Sequence, residues 1–188
     1  GIPLINPLVD LGNFVMLEIG APMHVFDLDK LALPINVQFP KAKKTPVKVI
    51  GGDIKDVQSS SLTIRDQSGI QAIAGIIGTE ASAVSSTTNK VAVEAAFFRP
   101  QIIANQARKY GLASDSSHRF ERGVDHEIQH QALKRYLFLL NQIAEFDLVE
   151  LYCSYSRKTK KRNVKLNIEK FNTFSGLTMK ASKAILIL

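Results

Sequence analysis

Apolar residues recur along this chain with two different periods, and the switches between them mark its elements. Leu8, Leu11, Val15 and Ile19 fall three to four residues apart, which predicts a helix over 7–20 opened by Pro7 and stopped by Gly20. A short extended run covers residues 23–26, and Asp27 reads as the cap of a brief helical turn through Leu31. Strand-like runs occupy 35–39, 47–50, 62–65, 70–77 and 90–95, with hairpin-turn chemistry at Gly51, Gly52 and Asp53. Residues 81–89 are small and polar and read as a loop. The helical period returns from Pro100 to about Tyr110, where Gly111 stops it. It returns again from Asp125 to about Glu145, with Ile128, Ala132, Leu133, Tyr136, Leu137, Leu140 and Ile143 as its buried stripe. Residues 148–154 and 164–167 read as strands, and 168–174 and 181–188 as helices. The pattern predicts an α+β class, with a mostly antiparallel, barrel-like sheet core flanked by helices.

Composition changes this picture in one respect. The net charge of +7 is unevenly spread: residues 1–154 hold 15 Lys+Arg against 16 Asp+Glu, and residues 155–188 hold nine against one. Six of those nine lie between Arg157 and Lys165. The expected organisation is therefore a main domain over 1–154, a basic linker over 155–162, and the truncated start of a small domain over 163–188. The basic strip reads either as a solvated linker or as a phosphate-contacting segment. A start at Gly1 in place of Met, and an apolar helical end without a cap, predict a piece of a longer chain. Its start lacks the basic flank and apolar stretch of a signal peptide. No apolar run reaches the ~18 residues of a membrane span. A single Cys153 excludes an internal disulfide framework and suits a reducing cytosol. No Cys/His cluster has zinc-ligand spacing, and no metal site is expected.

Two stretches carry candidate chemistry. Glu94 lies in the apolar run Val91-Ala-Val-Glu94-Ala-Ala-Phe-Phe98. A carboxylate there needs a partner, because burying an unpaired charge is costly. It reads either as a pocket group or as a buried acid paired with Arg119 or Arg122. The second stretch is Ser114-Asp-Ser-Ser-His-Arg-Phe-Glu-Arg-Gly-Val-Asp125, dense in charge and small hydroxyls. His118, Arg119, Glu121 and Arg122 within it read as an ion-paired loop shaping a pocket wall. His24 is the only histidine in an apolar run and reads as a core residue or as a polarising group. His126 and His130 are four apart, but no third metal ligand accompanies them, so they read as a solvated helix face.

Four blocks together resemble the beta subunit of bacterial phenylalanyl-tRNA synthetase, in its central editing module. They are residues 5–27 (INPLVDLGNFVMLEIGAPMHVFD), 73–80 (IAGIIGTE), 93–98 (VEAAFF) and 114–125. The resemblance spans about residues 1–154, and 163–188 look like the start of the next module. It implies hydrolysis of tyrosine misattached to the phenylalanine tRNA, a task forced by the limited power of a pocket to reject one extra hydroxyl. It also implies roles. Glu94 would accept the tyrosine phenol, and His24 would position or polarise water at the ester. Gly78 would let a backbone amide approach the substrate. Asn13 would hold the terminal adenosine or the ester carbonyl, and Ser114 and Ser116 would bind substrate. The implied partners are the phenylalanine tRNA and the alpha subunit of a cytoplasmic α2β2 ligase. ATP and magnesium would serve the parent enzyme through the alpha subunit, with no cofactor in this fragment. The chain departs from the family where Pro3-Leu4 replaces Arg-Pro, and where Gly12, Thr79 and Ser116 replace Thr, Gly and Ala. These departures predict editing that is weakened or altered in specificity. The alternative is a catalytically silent structural or RNA-binding module of the same subunit.

Overall fold

The computed structural model describes residues 4–154 and 163–187. The expected basic linker and Pro3 lie outside the described residues. The chain divides into two compact units, Gly1–Phe146 and Asp147–Leu188.

The first unit is built around a two-stranded ribbon. Strand β1 (Met23–Asp27) pairs antiparallel with β8 (Val91–Ala95). Side chains alternate across a strand, so each face of the ribbon sees a different core. Met23, Val25, Val91 and Val93 face a helical core with Val15, Ala132, Tyr136 and Leu140. That core comes from α1 (Pro7–Ile19) and α5 (Gln129–Leu140). Phe26, Ala92 and Ala96 face a second core with Ile64, Ile73, Phe98, Ile103 and Phe120. Its strands are β2 (Asn36–Gln38), β5 (Thr63–Arg65), β6 (Ile70–Ile73) and β7 (Ile77–Gly78), an antiparallel sheet in the order β2-β5-β6-β7. The hairpin of β3 (Lys44–Lys48) and β4 (Ile54–Gln58) joins that sheet through a Val49–Thr79 bridge. The class is α+β, and the three sheets do not close into a barrel.

Local chemistry accounts for the helix ends. Asn6 caps α1 by accepting from Val9 N, Pro7 opens it, and Gly20 ends it at φ 81°. Tyr136 is fully buried in α5, and its hydroxyl donates to Leu8 O at 2.9 Å, tying the helix pair together. Gly12 lies between them. A methyl added there would meet Met23 Cβ at 3.6 Å and Tyr136 Cε2 at 4.0 Å, ordinary contact distances. Gly12→Ala is therefore expected to raise stability by about 0.5–1 kcal/mol, seen as a higher denaturation midpoint. A lower midpoint would show that the helix cannot tolerate even that contact.

Several sequence expectations are corrected. Residues 70–77 are not one strand, because Gly75 turns the chain at φ 69° and Ile76 N donates to Ile73 O. The helix expected from Pro100 to Tyr110 is two, α2 (Pro100–Ile103) and α3 (Gln106–Tyr110), broken at Asn105 with φ 62°. Residues 114–125 are mainly helix, not loop: α4 (Asp115–Arg122) is capped reciprocally by Ser114 and Ser117. The helix expected from Asp125 starts later, since Asp125 accepts from Glu127 N in a turn. It also ends at Leu140, leaving Ile143 58% exposed and outside the stripe. In the second unit, two hydrogen bonds between Asn172 of α6 (Ile168–Ser175) and Met179 fix the connection that leads into α7 (Ala181–Ile187). Residues 147–154 and 163–167 form no strand. Their apolar alternation finds no pairing strand among the described residues, and alternation without a ladder is only a pattern.

Candidate functional site

The ribbon face toward the sheet core holds a carboxyl and an imidazole. His24 and Glu94 are register partners in the β1–β8 pair, so their side chains share that face. They open into a cavity of about 60 Å³, room for a few waters. Its walls include Met23, Ile64, Ala72, Gly78, Ser116 and Phe120. The His24 ring packs edge-on to Phe26, with centroids 4.4 Å apart at 84°. It also covers Gly78 so closely that a methyl there would lie 2.5 Å from His24 Nε2. Gly78 is thus required for the approach of this ring, a reason different from backbone freedom.

Burial alone shifts both ionisable groups. The His24 imidazole is pushed down to about 4 and the Glu94 carboxyl up to about 7. Each keeps a little exposure at the cavity, yet among the described residues neither gains a charged partner that would reverse its shift. Glu94 is not paired with Arg119 or Arg122. Arg119 binds Asp115 Oδ1 at 2.8 Å, and Arg122 Nη1 donates to His118 O. At neutral pH the site therefore holds a neutral imidazole that can accept a proton. The carboxyl stands near its midpoint and can donate or accept.

The other sequence candidates separate. Ser116 lines the cavity, and its hydroxyl donates only to a weak acceptor, Met16 Sδ, at 3.4 Å. Ser114 is spent on the helix cap, accepting from Ser117 N, and does not line the cavity. Asn13 lies half-buried on α1 and is not a cavity residue either. Thr79, beside Gly78, is 2% exposed, and its hydroxyl has no partner among the described residues. His118, Arg119, Glu121 and Arg122 all lie outside the cavity lining, and Glu121 instead accepts from Asn105 N at 3.1 Å. His126 contacts the ring of Phe97. Among the described residues no group of three His, Cys, Asp or Glu could hold a metal. The walls Ile64, Ala72 and Phe120 were not singled out from the sequence. The only sequence signal for Phe120 is that it is the one large apolar residue in a polar block.

The arrangement suits recognition of a polar group at the end of an apolar side chain. Glu94 shares the cavity with the polar groups of His24 and Ser116 and with the apolar walls Ile64, Ala72, Ile73 and Phe120. Among the described residues no hydroxyl or thiol is hydrogen-bonded to His24, so the geometry fits attack by a positioned water better than a covalent intermediate.

The profile of the B3/4 domain family matches residues 1–145. The phenylalanine–tRNA ligase beta subunit of Mannheimia succiniciproducens is 45% identical over 94% of this chain and 22% of that protein. That of Haemophilus influenzae strain Rd is 44% identical over the same shares. That of Neisseria meningitidis serogroup B is 38% identical over all of this chain and 24% of that protein. The chain thus spans about a fifth to a quarter of the length of these relatives. A solved N-terminal fragment of the phenylalanyl-tRNA synthetase beta subunit from Pyrococcus horikoshii overlays at a TM-score of 0.47 and 12% identity, too loosely to argue from.

Proposed function

Because this chain belongs to the B3/4 domain family, in the form found in phenylalanine–tRNA ligase beta subunits, we propose that it is the editing module of such a subunit. Its reaction is hydrolysis of tyrosine misattached to the phenylalanine tRNA. The observation that carries this reading is the pairing of Glu94 with His24 across the ribbon, facing one small cavity.

Each group has a role. Glu94 bonds the phenol of a tyrosyl side chain. Phenylalanine would leave that buried carboxyl without a partner, at a cost of about 1–3 kcal/mol. His24, neutral at pH 7, orients water at the ester, takes its proton as the carbonyl is attacked, and returns that proton to the ribose oxygen as the ester bond breaks and tyrosine leaves. Gly78 and Ser116 line the same cavity. Asn13 and Ser114 lie outside this lining; on this reading Asn13 holds the terminal adenosine or the ester carbonyl, and Ser114 contacts the substrate beyond the cavity. The phenylalanine tRNA and the synthetase alpha subunit are the proposed partners, in the cytoplasm. ATP and magnesium belong to activation by the partner subunit and enter no step here. Among the described residues no helix is long and apolar enough to cross a membrane.

A second reading is a silent scaffold that retains the cavity's shape. It is favoured by the small cavity and by His24 filling the space above Gly78. Release of tyrosine from tyrosyl-tRNA for phenylalanine, by the whole synthetase with native and Glu94→Ala subunits, separates the two. Editing predicts fast release lost in the variant. Release no faster than spontaneous hydrolysis in both would leave the scaffold.

A further inference from the structure

The turn joining β3 to β4 sets one exposed apolar side chain beside the cavity. Gly52 N donates to Val49 O at 3.0 Å, and Val49 N to Asp53 O at 2.9 Å. Ile50 and Gly51 are thus the turn's central residues, and Gly51 has φ 99°, the sign a type II turn demands there. Ile50 N donates to Gly78 O at 3.0 Å, fixing the turn to the cavity floor. The Ile50 side chain follows: its Cδ1 lies 3.1 Å from the point where a Gly78 methyl would be, the same point that His24 Nε2 approaches. Ile50 and His24 therefore converge over one glycine. Ile50 is nonetheless 41% exposed, and it stands at the rim, outside the cavity lining.

We propose that Ile50 is a positioning residue for the nucleoside that carries the scissile ester. This rests on the editing reading. A side chain that reaches Glu94 brings its ester to His24, and every atom beyond the ester oxygen then belongs to the terminal nucleotide. Ile50 is an exposed apolar group that meets the same point above Gly78 as His24. The two glycines after it leave bare backbone: nothing lies within 4 Å of a methyl at Gly51, and only Glu80 Oε1, at 3.7 Å, near one at Gly52. A flat base or a sugar can come close without meeting a side chain. The nearby charges are already closed on each other, Lys48 on Glu80 at 2.8 Å and Lys55 on Asp53 at 3.0 Å. The turn therefore offers apolar contact to a nucleoside and no phosphate clamp.

The test uses the whole synthetase and two competitors of tyrosyl-tRNA hydrolysis. One is tyrosinamide. The other is a non-cleavable tyrosyl amide of 3′-amino-3′-deoxyadenosine. Ile50→Ser is expected to raise KM for tyrosyl-tRNA about fivefold to tenfold, with kcat little changed. It should weaken the nucleoside competitor equally and leave tyrosinamide unaffected. Ile50→Val should restore KM, and thermal midpoints should stay together. Equal weakening of both competitors, or of neither, overturns the proposal while editing stands. An unsubstituted enzyme that releases no tyrosine overturns the editing reading and this proposal with it.

Discussion

Glu94→Gln is expected to gain stability relative to the native chain as pH rises, while losing tyrosine release by about 100-fold or more. The folded carboxyl is raised from 4.5 to about 7, so the folded state holds its proton where the unfolded state has lost it. Stability from this group is full below pH 4.5, declines as pH rises through 7, and is constant above. At pH 8 the native chain therefore carries a penalty of about 3 kcal/mol that the variant lacks. His24 works in the opposite direction. Its folded value is lowered from 6.5 to about 4, so stability is full above 6.5 and is lost as pH falls toward 4. Between 4.5 and 6.5 the two slopes oppose, and the native stability profile is expected to be flat there. Glu94→Gln uncovers the His24 slope. Denaturant unfolding at pH 4, 6 and 8 reads both effects. A native–variant difference that does not change with pH would show that Glu94 ionises freely in the fold.

Gly78→Ala is expected to be nearly as damaging to release, by displacing His24. The new methyl would sit 2.5 Å from Nε2 and 2.6 Å from Cε1 of the imidazole, and 3.1 Å from Ile50 Cδ1. The first two are closer than any stable carbon contact, so the ring must turn away from its edge-on seat on Phe26. Overpacking of this kind costs about 1–3 kcal/mol. Release should fall by about two orders of magnitude, since a 1 Å displacement of a reacting group is enough. Adding His24→Ala should recover the stability without recovering the rate, a coupling read by a double-mutant cycle. Wild-type release with an unchanged melting midpoint in Gly78→Ala would show that the ring over Gly78 is not part of the reacting site.

The sequence exposed those features whose causes are local. Pro7 and Gly20 bracket α1, and Gly51 marks the hairpin turn. The acid inside the apolar run of β8 announced a polar group turned inward. The pairing that makes it useful was not legible, because Glu94 and His24 are 70 residues apart and only the ladder brings them together. Strand β4 escaped notice because Ile54–Gln58 buries only Val57 fully. The capping box of α4 was hidden because its third position carries Ser117, where Glu or Gln is usual. The break at Asn105 was equally silent: asparagine tolerates positive φ, and the Glu121 carboxylate that receives its amide lies 16 residues away. Ser114 reads from the sequence as a substrate group, and the fold adds a second use that the sequence hid: its side-chain oxygen accepts from Ser117 N and caps α4.

The ribbon's two faces also protect the site against error. Val25 opposite Val93 and His24 opposite Glu94 are neighbouring rungs of one ladder. Sliding β8 by a single residue would exchange its faces. The carboxyl would then enter the helical core around Tyr136, and a valine would fill the polar end of the cavity. Such a chain would be unstable and inert for the same reason. A misthreaded ribbon has no way to persist as a folded but idle copy, so the pool of well-folded molecules is at the same time the pool with its carboxyl and imidazole face to face.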